Sequence, residues 1–401
     1  MAAAALVVVL AACGTGTSPS SVTVHHVRVT MAITPPVVAL ADVLIARTRD
    51  GIARSGDAGR TWQDVGLPGR PPGSTIAYTS PAVSDDLALI AGHDVASGSL
   101  VWTSSDGQSW SAGTAIAHTT EPAAIGSVKG LLVAAVTTLD RTLEVRVSTD
   151  RGHTWRTAPM DAIDVPADGT MRAVAVRPDR AGLAVEVQIA DEHNVPLRMV
   201  VLHTDDGDRW TRATCSASEC SARLGGDALV RQREVSLDDG ETWKPFRLVP
   251  EPPATQDVPA LVAAVDAGNG RYLGTARSDV PSDVSFGYLA AKAPGEDTWR
   301  QLVDHDACED KVQTRPNSSF SLPVRLGQRW FATSTCINLI DPVDAVLVGG
   351  RASDSNFEPI AGTRRRHVGF VQPVVVDGRL VVPEVDDRYR VVGLLTLEEA
   401  D

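Results

Sequence analysis

Few side chains in this chain have types and spacings that suit chemistry. Four cysteines lie in its body: Cys215, Cys220, Cys308 and Cys336. Zinc would need CxxC or paired-His spacing, and neither is present. The stretch CSASEC puts Cys215 and Cys220 close enough to close a small loop, which leaves Cys308 and Cys336 as a second pair. That pairing rests on proximity alone, since four cysteines allow three connectivities. The run RRRH, Arg364 to His367, is the one basic cluster in an acidic chain. Arg364, Arg365 and Arg366 are candidates to bind an anionic glycan or a lipid headgroup, set against the plainer reading of a solvated loop. His25 and His26 lack partners for a metal site. The aspartates of TDDGD and LDDGE lack the later Glu of a calcium loop. Gly225-Gly226 and Gly349-Gly350 read as turns, with no phosphate-loop Lys behind them. No metal and no cofactor is expected.

The elements that position these residues are repeated. SGDAGRTW ends at Trp62, STDRGHTW at Trp155 and SLDDGETW at Trp243. TSSDGQSW, one residue shorter, ends at Trp110. HTDDGDRW keeps Asp205, Gly207 and Trp210, with Arg209 where Thr is expected. AKAPGEDTW keeps Thr298 and Trp299, and ASDSNF offers Phe357 in the Trp position. The aromatic positions recur at roughly 50-residue intervals, the length of a four-stranded propeller blade. Between them run LLVAAVTT, LEVRVST, RAVAVRP, LAVEVQIA and RMVVLHT, β-branched and partly alternating, as strands are. Each box therefore joins two strands. In it the Asp (Asp57, Asp106, Asp150, Asp205, Asp238) bonds turn amides. The Gly (Gly59, Gly152, Gly207, Gly240) allows positive φ. The hydroxyls (Ser55, Thr61, Ser148, Thr154, Ser236, Thr242) add local bonds, and the Trp anchors the turn between strands or blades.

Composition limits the rest. The 401 residues carry a formal charge of -13, from 37 basic and 50 acidic side chains. Such a surface repels phosphate backbones, which argues against nucleic acid. Ala2 to Ala12 is an apolar run of signal-peptide length, too short to span a bilayer. It ends in LAAC, which resembles the bacterial lipobox, although no Lys or Arg precedes the run. The expected organisation is a signal peptide over 1–13 and a polar tether with the first strand over 14–35. An all-β propeller then fills 36–401. Cys13 would carry the lipid and hold the chain on the extracytoplasmic face of the cell membrane, or the chain would be secreted.

The boxes resemble the Asp-box, or BNR, repeat of sialidases, sortilin-type receptors and photosystem-assembly propellers. The resemblance implies a β-propeller with structural boxes at its periphery. Seven boxes give seven blades of four strands, with six or eight as alternatives. The strand-rich segment after Phe357 has no box, and is expected to supply inner strands of the blade that the N-terminal segment closes. The sialidases of this group use three Arg for the sugar carboxylate, a Tyr nucleophile with a Glu partner, and an Asp acid/base. Here the Arg-Ile-Pro motif before the first box is missing. FRLVP, with Arg247, comes after the fifth, and Tyr389 in PEVDDRYRV has Glu384 and Asp387 nearby. No catalytic set is assignable from Arg247, Glu384 and Tyr389. The expected function is a monomeric, non-catalytic surface binding or scaffold module whose axial face meets a protein or glycan. The alternatives are a sialidase-type glycoside hydrolase and an assembly factor for a membrane complex.

Overall fold

A computed structural model describes residues 22–69, 76–79, 81–84, 86–94, 98–117, 119, 121–138, 140, 142–160, 163, 169–178, 182–193, 195–216, 223–225, 227–231, 233–238, 242–250, 259–280, 284–303, 317–338 and 341–399. Among these the chain is all-β, with no helix. The apolar runs found in the sequence all form strands, among them Leu131–Thr137, Leu143–Ser148 and Leu183–Ala190. Leu131–Thr137 is buried along nearly its whole length. A strand covered on both faces reads as a continuous apolar run for that reason. The short last strand of the same sheet, Arg156–Thr157, is exposed.

The chain divides into two compact units: Met1–Val37, Ser55–Trp62 and Gly225–Asp401 in the first, Val38–Arg54 and Gln63–Leu224 in the second. The second holds four antiparallel meanders. One contains Val43–Thr48, Ile52–Ser55 and Gln63–Val65, and the next contains Leu87–Asp94, Gly98–Ser104 and Thr114–Ala117. The third runs Ala124–Val128, Leu131–Thr137, Leu143–Ser148, Arg156–Thr157. The fourth runs Thr170–Pro178, Leu183–Ala190, Pro196–Thr204, Thr211–Ser216.

The first unit also holds four. They are centred on Ala228–Arg231 with Glu234–Ser236, on Arg271–Val280 with Val284–Lys292, on Arg329–Asn338 with Asp341–Gly350, and on Arg379–Val385 with Val391–Glu399. This last meander is the box-less segment. Its inner edge is Gly369–Phe370 and Val374–Val376, and its outer strand is N-terminal: Val22 to Arg28 pair antiparallel with Glu399 to Gly393. The expected joining of the two termini in one sheet is present. Such closure removes an open strand edge. Consecutive four-stranded meanders are consistent with a propeller-like fold.

The core is a series of clusters, each set between successive sheets. Val133, Val145, Val147, Leu183, Val185, Val187 and Val200 form one of them in the second unit. In the first unit, Leu347 and Phe331 meet Leu380, Val382, Leu395 and Leu397. Gly349 and Gly350, read above as a turn, end the strand Asp341–Gly350 instead. A Cβ on either would collide with the ring of Phe331 or Phe357, so glycine makes room for the two aromatics.

Candidate functional site

The boxes are built as local hydrogen-bond locks. In the first and third, the Ser55 and Ser148 hydroxyls donate to Asp57 and Asp150, at 2.8 Å each, and accept the Gly59 and Gly152 N–H, also at 2.8 Å. The same carboxylates accept the N–H of Thr61 and Thr154 at 2.9 Å and their hydroxyls at 2.7 and 2.6 Å. Ser236, Asp238 and Thr242 repeat the pattern in the fifth box, whose Gly240 lies outside the described residues. Trp62, Trp110, Trp155 and Trp210 each donate their indole N–H to the box Gly carbonyl, at 3.0–3.2 Å.

The second and fourth boxes are both one residue short, and their lock shifts accordingly. The Asp directly before Gly now accepts the two amides after it: Asp106 from Gln108 and Ser109, Asp206 from Asp208 and Arg209. The box carboxylate of the fourth copy is therefore Asp206, and not Asp205, which is exposed. Ser104 and Thr204 supply the hydroxyl that accepts the Gly N–H, at 2.8 and 2.7 Å. The Arg209 guanidinium donates to Asp206 where a Thr hydroxyl would. The shared ending D-G-x-x-W was the sequence signal for this register. The sixth copy carries no such lock among the described residues. Trp299 is instead buried in a strand against Phe246, centroids 5.7 Å apart, and exposed Asp297 pairs with Lys244.

Accepted hydrogen bonds stabilise a carboxylate and lower its pKa. Asp150 and Asp238 fall to about 2, chiefly through the hydroxyls of Thr154 and Thr242. Asp106 and Asp206 fall to about 2 mainly through the amides of Ser109 and Arg209. The box carboxylates thus stay ionised at neutral pH and already hold protein donors.

Three of the locks, the second, third and fourth, also meet the sheet before them. Gly152 and Gly207 have φ of +85° and +77°, and a Cβ there would lie 2.8 Å from Thr103 and 2.5 Å from Val147. Thr103, just before the second box, donates its hydroxyl to the Arg151 carbonyl of the third, at 2.8 Å. Arg54 Nε, just before the first box, reaches the Asp106 carbonyl at 3.3 Å in the same relation. Half-buried Trp155 packs on the cluster of Leu87, Leu89 and Leu132 from two sheets.

The candidate catalytic residues are not brought together. Glu384 is 3% exposed, and its two oxygens face His26 Nε2 at 2.7 Å and Arg365 Nε at 2.9 Å. Gly393 stands opposite Glu384 in the neighbouring strand. A Cβ there would lie 2.2 Å from Glu384 Oε2 and 2.9 Å from His26 Nε2, so the bond exists because residue 393 is glycine. Tyr389 is no strand residue. It sits at the Asp386–Arg390 hairpin tip with φ of +57° and 62% exposure. Arg247 is exposed between the short strands Lys244–Pro245 and Leu248–Val249, and its carbonyl accepts the Trp299 N–H. The basic cluster is not a free anion site either: Arg364 pairs with buried Asp344 at 2.7 Å and Arg365 with Glu384, while Arg366 lies exposed beside them. His26, read without a role above, is the link that sequence reasoning missed.

A cleft of about 320 Å³ opens in the first unit, between the last two meanders. The inner strands of both meanders are interrupted there, and Gln372 ties the gaps together through the Leu322 N–H and carbonyl, at 3.1 and 3.0 Å. Thr335 bonds both backbone groups of Phe370. Tyr389, Asp387, Ser319 and Phe320 line the opening.

Cys336 is 4% exposed and disulfide-bonded. Cys215 lies in the strand Thr211–Ser216, and Cys13, Cys220 and Cys308 lie outside the described residues.

No family model matches the chain, and no curated protein matches it. Among solved structures it is similar to an ulvan lyase of polysaccharide lyase family PL25, at 9% identity and TM-score 0.45, over 90% of this chain and 93% of that one. Drosophila Plexin A in complex with Semaphorin 1b aligns at 9% identity and TM-score 0.44, over 93% and 86%. A Trypanosoma rangeli sialidase aligns at 13% identity and TM-score 0.34, over 92% of this chain and 54% of that one. Likenesses this distant carry no argument about activity.

Proposed function

We propose that the chain is a non-catalytic binding module: an Asp-box propeller of eight blades, held on the extracytoplasmic face of a membrane by lipid on Cys13. The described strands form seven hydrogen-bonded sheets, and eight blades follow from counting the eight-stranded one as two, one of them the box-less C-terminal meander that seven boxes leave out. The observation that carries the non-catalytic reading is the state of Glu384. A nucleophilic Tyr needs a carboxylate partner to take its proton. The one glutamate near a late Tyr is enclosed and has both oxygens bonded by His26 and Arg365, and Tyr389 projects from a hairpin tip.

The test is a purified chain assayed with a fluorogenic sialoside. No turnover is expected. Turnover that Tyr389→Phe abolishes would overturn the reading and restore sialidase chemistry. For the anchor, Cys13→Ser should move the protein from the membrane fraction to the soluble one, and retention in the membrane would contradict lipidation.

A further inference from the structure

Of the eight non-glycine residues at positive φ among the described ones, Tyr389 is the only Tyr, Phe or Trp. A bulky aromatic in the left-handed region is rare, because its Cβ crowds the backbone there. Local strain of this kind collects at ligand sites, where the surrounding structure imposes it. The hairpin gains nothing from the ring, which is 62% exposed. A glycine or asparagine would make the same turn without strain. What the ring does is stand at the rim of the cleft between the last two meanders.

The chemistry of that cleft is selective. Most of its inner polar groups are already used. Thr333 N–H bonds Ser321 Oγ at 2.9 Å, Thr335 bonds Phe370, and Gln372 bonds Leu322. Asp386 accepts the Arg388 and Arg390 amides and the Arg390 guanidinium. Three groups at the opening make no such bond among the described residues: the Tyr389 ring and hydroxyl, the Asp387 carboxylate and the Ser319 hydroxyl. No Lys or Arg lines the cleft, so an anionic ligand finds no counter-charge. A cation gains little, because Asp386 and Asp387 stand next to Arg388 and Arg390 in sequence and Arg390 already pairs with Asp386. The groups left over are an aromatic face, a bidentate acceptor and a hydroxyl. They complement a flat apolar face edged with hydroxyl donors, as the sugar ring of a neutral pyranoside offers. The volume is at the low end of the roughly 300–1,000 Å³ of small-molecule sites, which fits one or two sugar rings.

We infer that this cleft binds an uncharged saccharide, with a pyranose ring stacked on Tyr389 and vicinal hydroxyls donated to Asp387. The inference rests on the binding-module reading and gives it a ligand class and a place.

Saturation-transfer NMR on the full chain tests it, with methyl glucoside, galactoside, mannoside and fucoside as probes, and with sialic acid and lysine methylamide as charged controls. At least one neutral glycoside should bind, and Tyr389→Gly and Asp387→Asn should each weaken it by about tenfold or more, or about 1.4 kcal/mol. Tyr389→Gly also removes the strain, so its melting temperature should hold or rise, which separates lost binding from lost fold. Tyr389→Phe should retain most of the binding, since the ring remains. Absence of binding by every neutral glycoside would overturn the inference. So would neutral binding that is indifferent to Tyr389→Gly, although the module reading would then stand. Tyr389-dependent binding of only a charged control would overturn the ligand class, and sialoside turnover would overturn the module reading itself.

Discussion

Replacing Gly207 with alanine tests whether a box is seated on the sheet before it. Its φ is +77°, and a left-handed backbone costs an L-residue roughly 1–2 kcal/mol. The added Cβ would lie 2.5 Å from Val147 Cγ1 and 3.1 Å from Leu131 Cδ1. Both side chains are buried in one cluster and cannot give way without leaving their rotamers, which adds about 1–3 kcal/mol. The expected loss is therefore about 2–5 kcal/mol. Val147→Ala removes the colliding methyl. In that background the backbone part, about 1–2 kcal/mol, and the milder contact with Leu131 Cδ1 should remain. The two substitutions should thus be coupled by about 1–3 kcal/mol, in the sense that the pair costs less than the sum. Urea denaturation of the four proteins of the cycle, followed by tryptophan fluorescence, measures this coupling. Costs that add within about 0.5 kcal/mol would refute the reasoning, because the box Gly would then not press on Val147.

Three further expectations concern single sites. Trp155→Ala should cost about 1.5–2.5 kcal/mol, half the figure for a fully enclosed aromatic, because the ring is only partly buried on Leu87, Leu89 and Leu132; a loss below about 0.5 kcal/mol in urea would mean that the ring anchors nothing. The Asp150 carboxyl is held at about 2 against an ordinary 3.8, so its contribution is present above the unfolded value and lost as pH falls through the folded one. Asp150→Asn should therefore flatten the loss of stability between about pH 4 and pH 2, and an unchanged acid slope would count against the lock. Glu384→Ala should cost about 1.5–3 kcal/mol, because it removes the carboxylate that Arg365 Nε and His26 Nε2 both bond, and Glu384→Gln should cost less; equal melting temperatures for Glu384→Ala and the parent chain would contradict the buried cluster.

Local chemistry was legible in the sequence, and long-range chemistry was not. The strands announced themselves because sheets covered on both faces need unbroken apolar runs such as LAVEVQIA. The boxes were legible because hydroxyl, carboxylate, glycine and indole act on one another within eight residues. Where two adjacent aspartates offer two registers, in HTDDGDRW, the eight-residue spacing points to Asp205 and Asp206 makes the bonds. Proximity misled at Tyr389 and Glu384. They are five residues apart, but one is in a strand and the other at a left-handed hairpin tip. The partners of Glu384 come from 358 and 19 residues away, and only the antiparallel pairing of the two chain ends delivers His26. The same holds for Arg364, whose neighbour Asp344 comes from the adjoining strand. A run of arginines looks open to an anion until the carboxylates that face it are known.

The most direct measurement is a crystal structure of residues 22–401, read at Glu384. The expected result is a Glu384 carboxylate bonded to His26 Nε2 and Arg365 Nε across Gly393, with Tyr389 at the cleft rim. A Glu384 carboxylate against the Tyr389 hydroxyl, with arginines converging on one carboxylate-sized site, would contradict the non-catalytic reading.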